Sequence, residues 1–341
     1  MRLEHRRREP APGVFRLVLP LPFPGLDAVN AYFLWDDDAS VLVDCGIYWP
    51  DDAGEHGWDD LAGAIAATGH DIADISKLVV THAHIDHYGM AARVVEATGC
   101  ELVMHSTAPE DIDIYRDPTS HMEQIKELLA DHGVEGSELE ELSAFEDWRS
   151  FVASPIDPTA PVVDGDKVAA GERTWEVIHT PGHASSHICL WSAKDRIFIS
   201  GDHLLPTITP HIDFERGEID PLGDFLNSLK RTEDLDPALV LPGHGRPFED
   251  GAERARVIAR HHDRRLGAIL QVVRHEPHTA NEIVDEIFGK ELLNFDRRLA
   301  LGEALAHLAY LRRRDEVERI ETEKESYRYL KKRRKREVED E

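Results

Sequence analysis

Cysteine is nearly absent from this chain: three residues, Cys45, Cys100 and Cys189, each in or beside an apolar segment. So sparse and odd a set builds no disulfide framework, and the thiols read as small packed hydrophobes of a protein in a reducing cytoplasm. Long apolar runs are missing too. No stretch reaches the roughly 18 apolar residues that a spanning helix needs, and the charged N-terminus lacks an apolar targeting core, so neither a membrane nor secretion is expected. Positive charge is short: 39 Lys and Arg stand against 66 Asp and Glu, a formal net charge of −27. Such a surface repels polyanions unless a basic patch is set apart, so nucleic acid is not the expected partner. Lysine is scarcer than arginine and aspartates cluster at 36–38, 51–52 and 59–60, as in a salt-adapted host or a high-GC genome. A Gly-x-Ser-x-Gly elbow is also lacking, and no side-chain nucleophile is found.

What is abundant is histidine next to aspartate. Thr81-His82-Ala83-His84-Ile85-Asp86-His87 follows the apolar run Lys77-Leu78-Val79-Val80, which predicts a buried strand. Imidazoles and a carboxylate packed at that density need a partner once buried, and a divalent metal supplies one. The same grammar of apolar strand, Gly or Pro turn, then His or Asp recurs along the chain. It ends in Asp44 after 41–43, His183 after 175–178, Asp202 after 196–200 and His244 after 238–241. A site assembled from that many strand ends is built across a fold.

In order, Asp44, His82-x-His84-x-Asp86-His87, His183, Asp202 and His244 resemble the metallo-β-lactamase-fold hydrolase superfamily, over roughly residues 14–247. The resemblance implies an α/β fold, an αββα sandwich of two mixed sheets flanked by helices. It also implies two divalent metal ions: one on His82, His84 and His183, the other on Asp86, His87 and His244, with Asp202 bridging. Asp44 would hydrogen-bond a ligand, and Asp86 would also orient the attacking hydroxide. Such donors suit zinc, while iron and manganese accept the same set. Asp202 stands where some β-lactamases of this fold have cysteine, and His84 where flavodiiron relatives have glutamate, which points toward the thioesterase and general-hydrolase branch. The implied activity is attack of a metal-bridging hydroxide on an ester, thioester or lactone. Two alternatives stay open: a metal-dependent single-strand endoribonuclease or phosphodiesterase, and a mononuclear iron dioxygenase acting on persulfides.

The organisation expected is a catalytic domain over 1–250, a C-terminal domain over 251–330 and a charged tail, 331–341. Strands are predicted at 14–19 and 29–35 with a loop over 20–27, and helices at 58–68 and 89–98. An insertion over 106–161 carries helices near 121–132 and 138–151, either as a wall of the substrate pocket or as a structural cap. Tyr48 and Trp49, in the loop after Asp44, and His211, in the loop 204–220, are the expected contacts to a small-molecule substrate. His203 and His105 come next. His5, His261, His262, His275 and His307 have no constellation around them and are expected at the surface or in packing. Helices near 254–275, 280–288 and 295–313, then a hairpin, resemble a winged-helix module such as the one closing β-lactamase-like protein 2. It is expected to cover the site or form a homodimer, because its third helix carries Asp296 and Glu303 rather than basic groups.

Overall fold

A computed structural model describes residues 9–23, 25–35, 40–51, 54–143, 148–170, 172–214, 220–322 and 325–332. His5, the aspartates at 36–38 and the charged tail from 333 on lie outside the described residues. Contacts divide the chain into a first unit, 1–118 with 146–210 and 224–258, and a second, 119–145 with 211–223 and 259–341.

In the first unit β1 (Val14–Phe23) and β2 (Leu26–Trp35) form an antiparallel ladder from Val14 opposite Leu34 to Phe23 opposite Leu26. The loop expected over 20–27 is therefore mostly strand. Proline is tolerated there because β1 is an edge strand, and it shows only as a shift of register after Pro20. β3 (Ser40–Val43), β4 (Lys77–Val79) and β5 (Glu101–Val103) complete a mixed five-stranded sheet, the last three parallel. The second sheet has six strands: β6 (Lys167–Ala170), β7 (Arg173–His179), β8 (Ile188–Ser192), β9 (Ile197–Gly201), β10 (Leu239–Pro242) and β11 (Phe248–Glu249). Among the described residues of this sheet only β9 and β10 pair in parallel.

Alternation sorts the side chains. Tyr32, Leu34, Val41, Val43 and Val79 of the first sheet bury against Trp175, Val177, Leu190, Ile199 and Leu241 of the second. Ala31, Phe33, Leu42 and Leu78 turn the other way. They pack on Leu61 and Ile65 of α1 (His56–Ala66), Val94 of α3 (Ala91–Thr98) and Ile112 of α4 (Ala108–Arg116), while α2 (Ile85–Tyr88) is a single turn between β4 and α3. Fully burying a side chain of this size stabilises by roughly 1.5–3 kcal/mol, so slipping one strand by a residue would forfeit several such terms.

The second unit, taken by itself, comprises α5 (Pro118–Asp131), α6 (Gly136–Ser143), the hairpin described below and helices from the C-terminal third of the chain. α7 (Pro221–Leu235) belongs mainly to the first unit, and α8 (Gly251–Val272) begins there. α9 (Ala280–Phe288) opens on a capping box in which Thr279 and Glu282 satisfy one another's backbone N–H, and α10 (Asn294–Arg313) follows. Ile125, Leu129 and Leu142 pack with Val284, Leu301 and Ala304. The hairpin is β12 (Val317–Thr322) with β13 (Glu325–Lys331). The sequence pattern of the insertion gives no sign of α4, whose Pro109, Glu110 and Asp111 crowd one turn. Among the described residues no helix is long and apolar enough to cross a membrane.

Candidate metal centre

Parallel strands deliver their side chains at the carboxyl ends, where the chain must turn back through a helix. Asp44 follows β3, the His82 loop follows β4, Asp202 follows β9 and His244 follows β10. Asp44 adopts φ 58°, a left-handed conformation that aspartate visits more readily than most residues. In that pose Oδ1 accepts from the Thr81 backbone N–H at 2.7 Å, and Oδ2 accepts from the Thr81 hydroxyl at 3.0 Å and from His87 Nδ1 at 2.8 Å. Asp44 thus ties the loop together and holds one imidazole.

The hydrogen bonds also decide which ring nitrogens carry lone pairs. The Thr81 hydroxyl donates to Asp44, so its oxygen accepts from His82 Nδ1 at 3.0 Å and leaves His82 Nε2 bare. That nitrogen faces His84 Nδ1 at 3.0 Å. His244 donates from Nδ1 to the Ala28 carbonyl at 2.9 Å, which presents Nε2 to Asp86 Oδ2 at 3.1 Å and to Asp202 Oδ2 at 3.3 Å. His87 Nε2 stands 3.5 Å from Asp202 Oδ1 and 3.7 Å from Asp86 Oδ2, and His183 Nε2 stands 3.9 Å from Asp202 Oδ2. Donor atoms of His82, His84 and His183 lie within 4.8 Å of one another; so do those of Asp86, His87 and His244, and those of His82, His87 and Asp202. The Asp202 carboxylate thus faces both sets.

These spacings fit metal ions. Two donors each about 2.0–2.2 Å from one tetrahedral ion sit roughly 3.3 Å apart. Both His87 Nε2 and Asp202 Oδ1 are buried without a hydrogen-bond partner, a costly arrangement unless an ion takes them.

Charge tells the same story. Burial opposes ionisation of Asp86, but His87 and His244 more than offset it and bring the carboxyl down to about 2; Asp202 is likewise held well below the usual range, by His244 and His87. Burial opposes protonation of His244, yet Asp202 and Asp86 raise it to about 10, and the carboxylates of Asp86, Asp44 and Asp202 push His87 up in the same way. Burial, then repulsion from His87 and His84, pushes His82 down. The Asp86, His87 and His244 side of the cluster is therefore built to hold positive charge against carboxylates, while His82 is held neutral.

Several supports were not foreseen from sequence. His187, fully buried, accepts the Asp202 backbone N–H on Nε2 at 3.2 Å while Nδ1 meets the Thr180 hydroxyl at 2.8 Å. Its position four residues after His183 was the available signal. Asn30 Nδ2 donates to the carbonyls of Pro242 and Gly245 at 2.8 and 2.9 Å, and the Tyr32 hydroxyl donates to Pro242 at 2.8 Å, pinning the His244 turn to β2. A Cβ on Gly243 would come within 2.3 Å of Asp202 Oδ1, so only glycine lets this turn pass the carboxylate. From α4, the Tyr115 hydroxyl donates to the Ala83 carbonyl at 2.7 Å, and Asp111 accepts from the hydroxyls of Ser185 and Ser186 at 2.7 and 2.6 Å. This part of the insertion braces two loops that carry candidate donors.

None of the three expected substrate contacts is a member of these donor groups. Half-buried Tyr48 lines a groove of about 560 Å³ with Glu55, Arg93, Glu96 and Ser154, none of them a metal-type ligand named above. Trp49 packs on the first-sheet core, its ring 5.4 Å from that of His56. His211 belongs to the second unit, with Nε2 3.9 Å from Asp213. Two histidines expected near substrate are otherwise engaged: His203 bonds Thr232 at 2.8 Å in the core, and His105 stacks on His179 at 4.0 Å. Two others expected at the surface or in packing, His262 and His307, are buried together.

Residues 24–244 match the family model described as the metallo-beta-lactamase superfamily, and 266–333 match that of a metallo-beta-lactamase-like C-terminal domain. The "Probable metallo-hydrolase YqjP" of Bacillus subtilis (strain 168) is 27% identical, over 87% of this chain and 92% of that protein. A crystal structure of a metallo-beta-lactamase family protein from Thermus thermophilus superposes with a TM-score of 0.80 at 30% identity, covering 95% of this chain and 100% of that one. "Acyl-coenzyme A thioesterase MBLAC2" of Gallus gallus is 32% identical over 37% of this chain and 45% of its own length.

Proposed function

The chain belongs to the metallo-beta-lactamase superfamily, and from that membership we propose that it is a dinuclear zinc hydrolase of esters, thioesters or lactones. The observation that carries this reading is the convergence of five imidazoles and two carboxylates, with Asp202 facing both sets of donors. His82, His84 and His183 would hold one ion and Asp86, His87 and His244 the other, with Asp202 between them. When bound, two such ions supply a water acidic enough to attack at neutral pH and polarise the substrate's carbonyl. Asp86 has a carboxylate ionised at any physiological pH, suited to accept a hydrogen bond from that water and aim it. His187 and Asp44 keep Asp202 and His87 in register, so that the donors do not reorganise as the acyl carbon becomes tetrahedral. His84 is the exposed member of its set, which favours substrate entry on its side. Water adds across the acyl bond, releasing a carboxylic acid and an alcohol or thiol.

Among acyl substrates a thioester comes first, because the chicken relative is named a thioesterase and its match is the highest in identity of the three. The charge of −27 weighs against a nucleic-acid strand. The test is metal content with turnover of an aryl ester, an acyl thioester, a lactone, bis-p-nitrophenyl phosphate and a short single-stranded RNA, in wild type and His84→Ala. Two zinc equivalents and acyl turnover lost in the variant are expected. Cleavage confined to the phosphodiester and RNA would replace the reading with a nuclease, and one iron with no hydrolysis would replace it with an oxygenase.

A further inference from the structure

The second unit contains a group of metal-type donors separate from the centre above. We propose that His262 of α8 with Glu303 and His307 of α10 form a further site for a divalent transition metal such as zinc. All three belong to the second unit, and one donor atom from each lies within 4.8 Å of the others.

Helical spacing explains how the donors come together. Glu303 and His307 are four residues apart on α10 and so project from one face, stacked one turn above the other. His262 meets them from α8, its Nδ1 3.2 Å from His307 Nε2. Both imidazoles are buried, at 1% and 0% exposure, where a solvated polar face would not put them. His307 donates from Nδ1 to the Glu303 backbone carbonyl at 2.6 Å, so its Nε2 carries the lone pair and points at His262. A backbone carbonyl behind a histidine is a common way to orient that ring toward a metal. Burial and neighbouring positive charge bring His262 down to about 2, and burial brings His307 down to about 4, so both rings are neutral and ready to coordinate at physiological pH.

The carboxylate brings the charge. Glu303 Oε1 lies 3.2 Å from Arg265 Nη1, and the Arg265 guanidinium stacks on Phe288 at 4.0 Å. Arg265 is therefore the cation with which an ion must share Glu303. Glu303 is also the one partly exposed member, which gives the ion its path in. Two imidazoles and a carboxylate are a zinc, cobalt or nickel donor set, with room left for water. Binding would tie α8 to α10 within this unit and stabilise it by mass action.

The test is zinc content of the full-length protein after equilibrium dialysis, in wild type, His307→Gln, Glu303→Gln, Arg265→Met and His84→Ala. His307→Gln should hold one equivalent fewer than wild type while turnover at the first unit's centre persists. Glu303→Gln should weaken that equivalent about tenfold or more. Arg265→Met should tighten it, because a competing cation is gone; this gain survives as a test even if His307→Gln fails to fold. His84→Ala should leave the equivalent in place, which separates this site from the catalytic reading. Unchanged stoichiometry in His307→Gln and unchanged affinity in Glu303→Gln and Arg265→Met would overturn the proposal and leave His262 and His307 as a hydrogen-bonded pair.

Discussion

At the scale of single residues, the centre depends on atoms that never touch an ion. Asp44 accepts three hydrogen bonds, two from Thr81 and one from His87. In Asp44→Asn an amide NH2 must face donors, so the His87 ring loses its orientation. Metal affinity should fall about 10–100-fold, the usual cost of losing such a support, as read by competition with a chromophoric chelator. Gly243→Ala forces a methyl group to within 2.3 Å of Asp202 Oδ1, and elemental analysis should show metal loss without loss of helical circular dichroism. Titration follows from the same groups. In chelator-treated protein, His244 is raised from 6.5 to about 10, so its stabilisation is fully present below pH 6.5 and lost as pH rises toward 10. Asp86 is lowered from 3.8 to about 2, so its contribution is present above pH 3.8 and lost as pH falls through 2. Thermal melts of chelated protein should therefore decline between pH 6.5 and 10, and zinc should remove that slope by taking the place of the proton. A flat profile in chelated protein would count against the electrostatic account.

At the scale of elements, the central strands are legible because short apolar runs, buried on both faces, stand out along the chain, and the donor motifs because each follows such a run. The hairpin turn was not: the pattern broke at Pro20, while the ladder on an edge strand simply shifted register there. Helix α4 was missed as well, yet it carries Asp111 and Tyr115, which brace the His183 and His82 loops. Nothing in the local sequence says that Asp111 reaches residues more than seventy positions away. Asp111→Ala would strand the buried Ser186 hydroxyl and cost about 1–3 kcal/mol. Calorimetry should register a fall of about 2–4 °C per kcal/mol, with weaker metal binding on the His183 side. Unchanged melting would show that the serines find other partners.

At the scale of the whole molecule, charge dominates. A net −27 repels itself, and salt screens that repulsion. The melting temperature should therefore rise between about 10 mM and about 1 M sodium chloride, a range over which screening becomes strong, with urea midpoints moving the same way; a fall would mean that local ion pairs outweigh the global field. The division into two units also reaches beyond what periodicity offered. A single boundary near 250 was the natural expectation, whereas 119–145 and 211–223 group with the C-terminal helices, and Ile125, Leu129 and Leu142 pack on Leu301 and Ala304. Segments distant in sequence join one core when their apolar faces match, and a local pattern carries no record of the match.

The family, the sandwich and the candidate donors at the strand ends could be read along the chain, because apolar runs of strand length and short His/Asp motifs are local properties. Tertiary structure alone decided what surrounds them: His187 behind Asp202, Ala28 behind His244, and His262 brought against His307 from a helix forty-five residues away. Those pairings depend on which surfaces meet after packing, and burial then assigns lone pairs and charge to groups whose chemistry in isolation is ordinary.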